Sequence, residues 1–226
     1  MTYENPFSVA CLILICYLFG SINLTFVTAK YVSGIDLRSS GSKSLGLGNF
    51  TRQMGAKWGF LLFPYEFGAK GCFPVIIGQL MGINQSLIVL MALSTIFGHC
   101  WPIFTKFKGG RGMLAALGGM LVFSFEIFIT CLLIAGLVKY LTPIKDSAVW
   151  SLVIVLLLPL FVLIYDFPNH VYLYSFGIIL LVILKRLSSN SLHDVRGSMG
   201  RLNIWKLVFF RLVYDRDIKD RSTWIE

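Results

Sequence analysis

The chain has 226 residues, of which 56% are hydrophobic and 14% charged, whereas soluble domains are about half apolar and about a quarter charged. Several apolar runs approach the roughly 20 residues that one helical membrane crossing needs, which excludes an ordinary soluble protein and predicts an all-α, polytopic membrane protein. The net charge of +9 predicts no nucleic-acid partner, because cations in membrane chains mark cytoplasmic loops or phosphate sites.

Three helices are predicted in the first half of the chain, at about residues 7–30, 57–80 and 85–104. Pro64, Pro74 and several glycines are expected to break the second. The loop between the first two has one acidic residue, Asp36, and five cations: Lys30, Arg38, Lys43, Arg52 and Lys57. An excess of lysine and arginine marks a cytoplasmic loop. The third helix returns the chain to the same face.

Residues 112–140 form an apolar stretch that is too long for one comfortable span and has Glu126 near its middle. We interpret it as two short helices joined by an external turn, with a single kinked span as the alternative. Lys139 and Lys145 then mark the cytoplasmic side. A sixth helix at about 147–165, an outer turn at 166–170 and a seventh helix ending at 184–186 complete the chain's apolar part.

This pattern predicts a seven-helix bundle with short and broken helices, an outside N-terminus and a cytoplasmic C-terminus. Residues 1–187 would form the transmembrane domain and residues 188–226 a cytoplasmic or membrane-surface tail. In the tail segment RLNIWKLVFFRLVY, residues 201–214, the cations are spread around a helix. Trp205 suggests an interfacial anchor, and a contact surface for another chain is the alternative.

The cysteines and histidines predict no metal site and no cofactor. The five cysteines all lie in apolar runs and form no Cys-x-x-Cys pair, and the three histidines are scattered without metal-ligand spacing. Such cysteines are typical of small core residues rather than of zinc ligands or disulfides.

The segment KFKGGRGM, residues 106–113, interrupts an apolar region with three cations and three glycines. Glycines let several backbone N–H groups turn toward one anion, and the helix that follows favours negative charge at its N-terminus. Lys106, Lys108 and Arg111 would add full charges. The segment therefore predicts a phosphate site, although a flexible cytoplasmic loop would have a similar composition.

A second segment of the same kind is GIDLRSSGSKSLGLGNFTRQMG, residues 34–55, on the same predicted face. Its hydroxyls and cations could face the first segment across one cavity.

Glu66 and Lys70 lie one helical turn apart within the membrane, where they can neutralise each other. They form either a packing pair or part of the pocket wall.

These strings, together with GS at 20–21, AK at 29–30 and GHCWPIFTKFKGGRGM at 98–113, resemble the PlsY-type glycerol-3-phosphate acyltransferases. The likeness runs from about residue 20 to 186. The family pattern of Gly-His, then Pro, then Phe-Lys-Gly-Gly-Lys-Gly differs only at Arg111, where the family has lysine. The resemblance implies a seven-helix bundle of the cell membrane with its active site facing the cytoplasm.

Two family motifs are altered in this chain. The family's Gly-Ser-Gly-Asn-x-Gly-Ala-Thr-Asn is here GSKSLGLGN, residues 41–49. The third motif, His-Arg-x-Asn, is here KRLS, so Lys185 and Ser188 replace its histidine and asparagine. An acceptor other than glycerol 3-phosphate, or an inactive relative that binds lipid phosphate or a partner protein, therefore remains an alternative. A small-anion carrier is disfavoured because the hydropathy pattern shows no inverted repeat.

The resemblance implies transfer of an acyl chain from acyl-phosphate to glycerol 3-phosphate, giving lysophosphatidic acid for phospholipid synthesis. The residues implied as catalytic are Ser42, Arg52, Lys108 and Arg111. Those implied in substrate binding are Gly41, Gly46, Asn49, His99, Gly109, Gly110, Gly112, Ser147, Lys185 and Ser188. Ser151 fits the position of Ser147 nearly as well, and His99 could instead pack beside Trp101.

Overall fold

A computed structural model describes residues 5–141, 146–188 and 204–217. Within those ranges the chain is helical and has no β-strand, which confirms the predicted all-α class. Five helical segments there are long and apolar enough to cross a membrane: Pro6–Ser33, Ala56–Leu80, Gln85–Thr105, Ser147–Ile164 and Asn169–Ser188. Lys145 and the tail residues 189–203 and 218–226, which carried several of the predictions, lie outside the described residues.

The first span was predicted as one helix and is divided into α1 (Pro6–Ser21) and α2 (Leu24–Ser33). The division falls at Asn23, whose side chain accepts a hydrogen bond of 2.9 Å from the Phe26 backbone N–H. An asparagine in this role caps the N-terminus of a new helix. After this break, α2 lies against the first glycine-rich segment, where its Thr25 hydroxyl donates to the Leu45 carbonyl.

The predicted loop at residues 34–55 contains a short helix that the sequence analysis missed, α3 (Leu47–Met54). The second span follows as α4 (Ala56–Phe63), a π-helical segment (Pro64–Cys72) and α5 (Phe73–Leu80). It is continuous rather than broken. Pro64 has no N–H to donate to the preceding turn, and the wider π turns, which are common at functional sites, carry Glu66 and Lys70.

The third span is α6 (Gln85–Cys100), followed by a single 3-10 turn (Ile103–Thr105). The division predicted near Glu126 is confirmed, because α7 (Met113–Phe123) and α8 (Phe125–Leu141) meet at Ser124, whose backbone is extended. The last two apolar helices are α9 (Ser147–Ile164) and α10 (Asn169–Ser188).

The described part of the tail forms α11 (Ile204–Tyr214), which lies against α9 and α10 of its own chain. Arg186 at the end of α10 donates to the Leu212 and Val213 carbonyls at 2.5 and 3.2 Å. Arg211 of α11 is buried, pairs with Asp217 at 2.6 Å and donates to the Leu187 carbonyl. These contacts fix α11 and the residues after it next to the ends of α9 and α10.

Gly118 allows α7 to approach the π-helical segment, and its replacement should destabilise the fold. A Cβ at this position would lie 2.2 Å from the Phe67 carbonyl oxygen and 2.9 Å from the Gly71 Cα. Because both neighbours are backbone atoms, the helices must separate. We expect Gly118→Ala to lower the free energy of unfolding by about 1–3 kcal/mol, the usual range for overpacking, as measured by thermal unfolding in detergent.

Gly136 in α8 provides the matched control, since a Cβ there would meet nothing within 4 Å. Gly136→Ala should leave the unfolding temperature unchanged or raise it, because alanine restricts the unfolded chain. Equal unfolding temperatures for the two variants would contradict close packing of α7 on the π-helical segment.

Candidate active site

The two glycine-rich segments meet in the structure. The backbone N–H of Leu45 donates to the Gly109 carbonyl at 3.3 Å, which joins the first segment directly to the second. The Leu45 carbonyl in turn accepts a hydrogen bond from the Thr25 hydroxyl of α2. A backbone hydrogen bond therefore joins the two segments, and α2 supports the first of them.

Asn49, in the first turn of α3, holds the first segment in shape. It is 2% exposed. Its amide nitrogen donates to the Ser40 and Ser44 carbonyls at 3.0 and 2.9 Å, and its amide oxygen accepts from the Ser42 N–H at 3.2 Å. With these bonds made, the side chain fixes the loop that presents Ser42.

A cavity of about 290 Å³, here called the polar cavity, brings together four of the predicted site residues. They are Ser42, Arg52, Arg111 and Ser147. Ser151, the alternative to Ser147, also lines it. Arg52 donates to the Ser42 hydroxyl at 3.4 Å, so a guanidinium group and a hydroxyl from the first segment face Arg111 from the second.

A second cavity of about 200 Å³, here called the glycine cavity, adjoins the first. Arg52, Arg111 and Met113 line both cavities. The other predicted site residues in its wall are Gly46, Asn49, His99 and Gly112. The two guanidinium groups therefore stand between two adjacent spaces.

Gly109 and Gly110 both lie in close packing around His99, and the Gly110 amide does not have its predicted role. The Gly110 N–H donates to the His99 carbonyl at 3.1 Å, so it is not directed at an anion. A Cβ at Gly110 would lie 2.1 Å from the His99 ring, and one at Gly109 would lie 2.3 Å from the His99 carbonyl oxygen. Gly41 is likewise next to the side chain of Asn49, 2.5 Å from the position of a Cβ.

Besides Gly41, Gly109 and Gly110, three predicted residues lie outside the walls of both cavities. Lys108 is exposed. Lys185 is buried, donates to the Cys100 carbonyl at 2.6 Å and lies 5.2 Å from the centre of the Trp101 ring. The Ser188 hydroxyl accepts from the Trp101 indole N–H at 3.3 Å. The altered third motif thus supports the end of α6.

Beneath the glycine cavity, Glu66, Lys70 and His99 form a buried polar cluster. Glu66 contacts the Lys70 ammonium at 3.2 Å and the His99 ring Nδ1 at 3.0 Å. Lys70 and His99 also approach to 3.2 Å. Of the pair that the sequence suggested, Glu66 lines the glycine cavity together with His99, whereas Lys70 is fully buried behind it.

Four polar residues in the wall of the polar cavity were not predicted: Asp146, Tyr214, Asp215 and Arg216. Asp146 caps α9 by accepting from the Ala148 N–H and pairs with Arg216 at 2.6 Å. Arg111 forms an ion pair with Asp215 and donates to its carbonyl at 3.1 Å. The alternating charges of YDRD, residues 214–217, were the available signal, but nothing in the sequence places them near residue 111.

The pKa of Arg111 is lowered to about 10, mainly because burial disfavours the charged form of the guanidinium group. The positive charges of Arg186 and Arg52 lower this pKa further. The group still carries its proton at neutral pH. A partly buried cation attracts an anion more strongly than an exposed one does.

An apolar groove of about 620 Å³ continues from the polar cavity between α7, α8 and α9. Met113, Ser147 and Ser151 line both spaces. Deeper along the groove the walls are apolar, formed by residues such as Leu117, Leu132 and Ile154. A ligand with a charged head and a hydrocarbon chain matches this combination.

Comparison with known proteins agrees with the geometry. The sequence model of the family described as "Glycerol-3-phosphate acyltransferase" matches residues 10–193. This chain belongs to the glycerol-3-phosphate acyltransferase family. Among its relatives, "Glycerol-3-phosphate acyltransferase" of Prochlorococcus marinus (strain MIT 9215) is 34% identical over 190 residues, covering 83% of this chain and 94% of the relative. "Glycerol-3-phosphate acyltransferase 4" of Dehalococcoides mccartyi (strain CBDB1) is 29% identical, covering 92% and 89%.

The fold of this family member is also similar to that of a solved relative. The crystal structure of PlsY (YgiH), an integral membrane glycerol 3-phosphate acyltransferase, in its glycerol 3-phosphate form aligns with a TM-score of 0.70 at 28% identity. The alignment covers 89% of this chain and 99% of that one. The membrane class predicted from composition and the predicted family are both confirmed.

Proposed function

We propose that this protein is a membrane acyltransferase that transfers an acyl chain from acyl-phosphate to glycerol 3-phosphate, forming lysophosphatidic acid for phospholipid synthesis. The observation that carries the proposal is the position of Arg52 and Arg111, which line two adjoining cavities. The reaction brings together two phosphate groups, one on each substrate. Two guanidinium groups that line both cavities can form charge-assisted hydrogen bonds with both phosphates.

In this reaction the acceptor hydroxyl oxygen attacks the acyl carbonyl, the bond from the carbonyl carbon to the phosphate oxygen breaks, and inorganic phosphate leaves. The hydroxyl proton passes to a phosphate oxygen. Arg52 and Arg111 would stabilise the charge that develops on the leaving phosphate. The apolar groove would hold the acyl chain, each buried methylene contributing about 0.8 kcal/mol.

We also propose seven spans, with α7 and α8 as the two short ones, an outside N-terminus and an active site on the cytoplasmic face of the cell membrane. The loops that carry Arg52 and Arg111 are rich in lysine and arginine, as cytoplasmic loops are. These loops and the N-terminal ends of α7 and α9 all contribute to the polar cavity, so they share one side.

The test is an assay of the purified protein with acyl-phosphate and a panel of phosphorylated alcohols that includes glycerol 3-phosphate. We expect release of inorganic phosphate together with lysophosphatidic acid. Arg52→Ala should lower turnover at least tenfold, because it removes one of the two shared cations, whereas Lys57→Ala, at an exposed position outside both cavities, should not. Absence of product from every acceptor would contradict the proposed function.

A further inference from the structure

One side of α11 is apolar and exposed. At about 100° of rotation per residue, five side chains fall within about 140° of the helix circumference: Ile204, Val208, Leu212, Trp205 and Phe209. Ile204, Trp205 and Phe209 are 65%, 78% and 53% exposed, and the other two are partly exposed. Both cations of α11, Lys206 and Arg211, lie outside this arc, here called the outer face. Exposure of such a patch to water is unfavourable.

The contacts of α11 place it where two membrane spans end. Arg211 donates to the carbonyl of Leu187, in the last turn of α10, at 2.9 Å. Arg216, just after α11, pairs with Asp146 at the start of α9. Both α9 and α10 are long and apolar enough to cross a membrane. Leu207, one turn before Arg211, is also buried, so α11 packs along the protein at the level where the spans leave the hydrocarbon core.

The size and composition of the outer face favour lipid over a second protein chain. A helix of 11 residues is about 16 Å long and about 10 Å wide, whereas each partner in a stable protein interface contributes about 800 Å². The outer face is much smaller than that. Tryptophan is enriched at the level of lipid head groups, and a lysine beside an apolar helix face can reach lipid phosphates. Trp205 and the exposed Lys206 have these positions.

From this geometry we infer that α11 is a membrane-surface helix, whose outer face is buried among the head groups and upper acyl chains of the phospholipid bilayer. Such helices lie in the plane of the interface with their apolar face in the lipid. The inference concerns a surface outside both cavities and does not depend on the proposed reaction. Because Tyr214 and Arg216 line the polar cavity, α11 joins the lipid surface to the wall of the candidate active site.

The experiment measures how strongly lipid quenches a tryptophan at different positions of α11. The parent is Trp205→Phe, the wild type supplies the probe at position 205, and Phe209→Trp added to the parent supplies a probe at position 209. Each full chain is reconstituted in phosphatidylcholine vesicles, with or without lipids brominated on the upper part of their acyl chains. The emission of the parent is subtracted to isolate each probe. We expect the probes at positions 205 and 209 to lose at least half of their emission.

Phe210→Trp in the same parent is the matched control. It is the same substitution at the next residue, which the helical rotation places outside the outer face, and Phe210 is less exposed than Phe209. The probe at position 210 should lose less than half as much emission as the probe at position 209. If Phe210→Trp lowers the unfolding temperature, Lys206→Trp, one turn earlier on the same side of α11, takes its place with the same expected result.

A second quencher, acrylamide in the aqueous phase, separates the other occupants of the outer face. Strong quenching of the probes at positions 205 and 209 by acrylamide, without quenching by lipid, would show a helix in water and overturn the inference. Protection from both quenchers would show that a second copy or another part of the chain covers the outer face, and would also overturn it. Equal lipid quenching at positions 209 and 210 would contradict the orientation of α11. Acyl transfer measured in the same vesicles tests the proposed function separately.

Discussion

Arg111→Ala should lower kcat/KM for glycerol 3-phosphate about a hundredfold, the scale on which single donors to a developing negative charge act. The substitution removes one of the two guanidinium groups that line both the polar and the glycine cavity. It also leaves the buried Asp215 carboxylate without its ion pair, which places an uncompensated negative charge next to the phosphate site. Both effects disfavour binding of an anionic substrate.

Arg111→Lys is the informative control for this loss. The related family pattern has lysine at this position, and an ammonium group retains the charge although it lacks the forked geometry of arginine. We expect Arg111→Lys to stay within tenfold of the wild type, with both variants verified as folded by their unfolding temperature in detergent. Wild-type kcat/KM in Arg111→Ala would remove Arg111 from the site.

The second large effect is expected for Glu66→Ala, on stability. Glu66 and Lys70 are 1% and 0% exposed, and the carboxylate contacts both Lys70 and His99. Removing the carboxylate leaves the lysine charge buried without its counter-ion. Breaking such a pair costs about 3–5 kcal/mol, so we expect a large fall in the unfolding temperature, together with reduced activity because His99 loses its orienting contact.

Two comparisons identify the cause of that loss. Glu126→Ala removes an exposed glutamate from the first turn of α8 and should cost less than about 1 kcal/mol. The double variant Glu66→Leu with Lys70→Met replaces both charges by apolar groups and should recover most of the stability, as observed when buried ion pairs are replaced as a unit. A double variant no more stable than Glu66→Ala would contradict this explanation.

The sequence predicted those features that depend on local composition. The length of the apolar runs located the spans. Glu126 near the middle of one run indicated the division between α7 and α8, because a charged residue in the middle of a membrane span is unfavourable. The paired basic segments located Arg52 and Arg111. These predictions needed only the order of residues along the chain.

The features that were missed depend on contacts between distant residues. Nothing around Asp215 indicates that its partner is 104 positions away at Arg111. Glycine was taken to expose backbone amides, whereas Gly110 allows the chain to pass over the His99 ring. Asn23 divides the first span because its side chain forms a cap, and the same residue could have been accommodated inside a helix.

We propose that Arg52 and Arg111, from two separate segments, act together on the same phosphate groups. The deciding measurement is kcat/KM for the wild type, Arg52→Ala, Arg111→Ala and the double variant. Residues that share a ligand have coupled effects, typically by about 0.5–3 kcal/mol. If the two arginines share the phosphates, the double variant loses clearly less activity than the product of the two single losses. Strictly multiplicative losses, or wild-type activity in either single variant, would show that they do not act together.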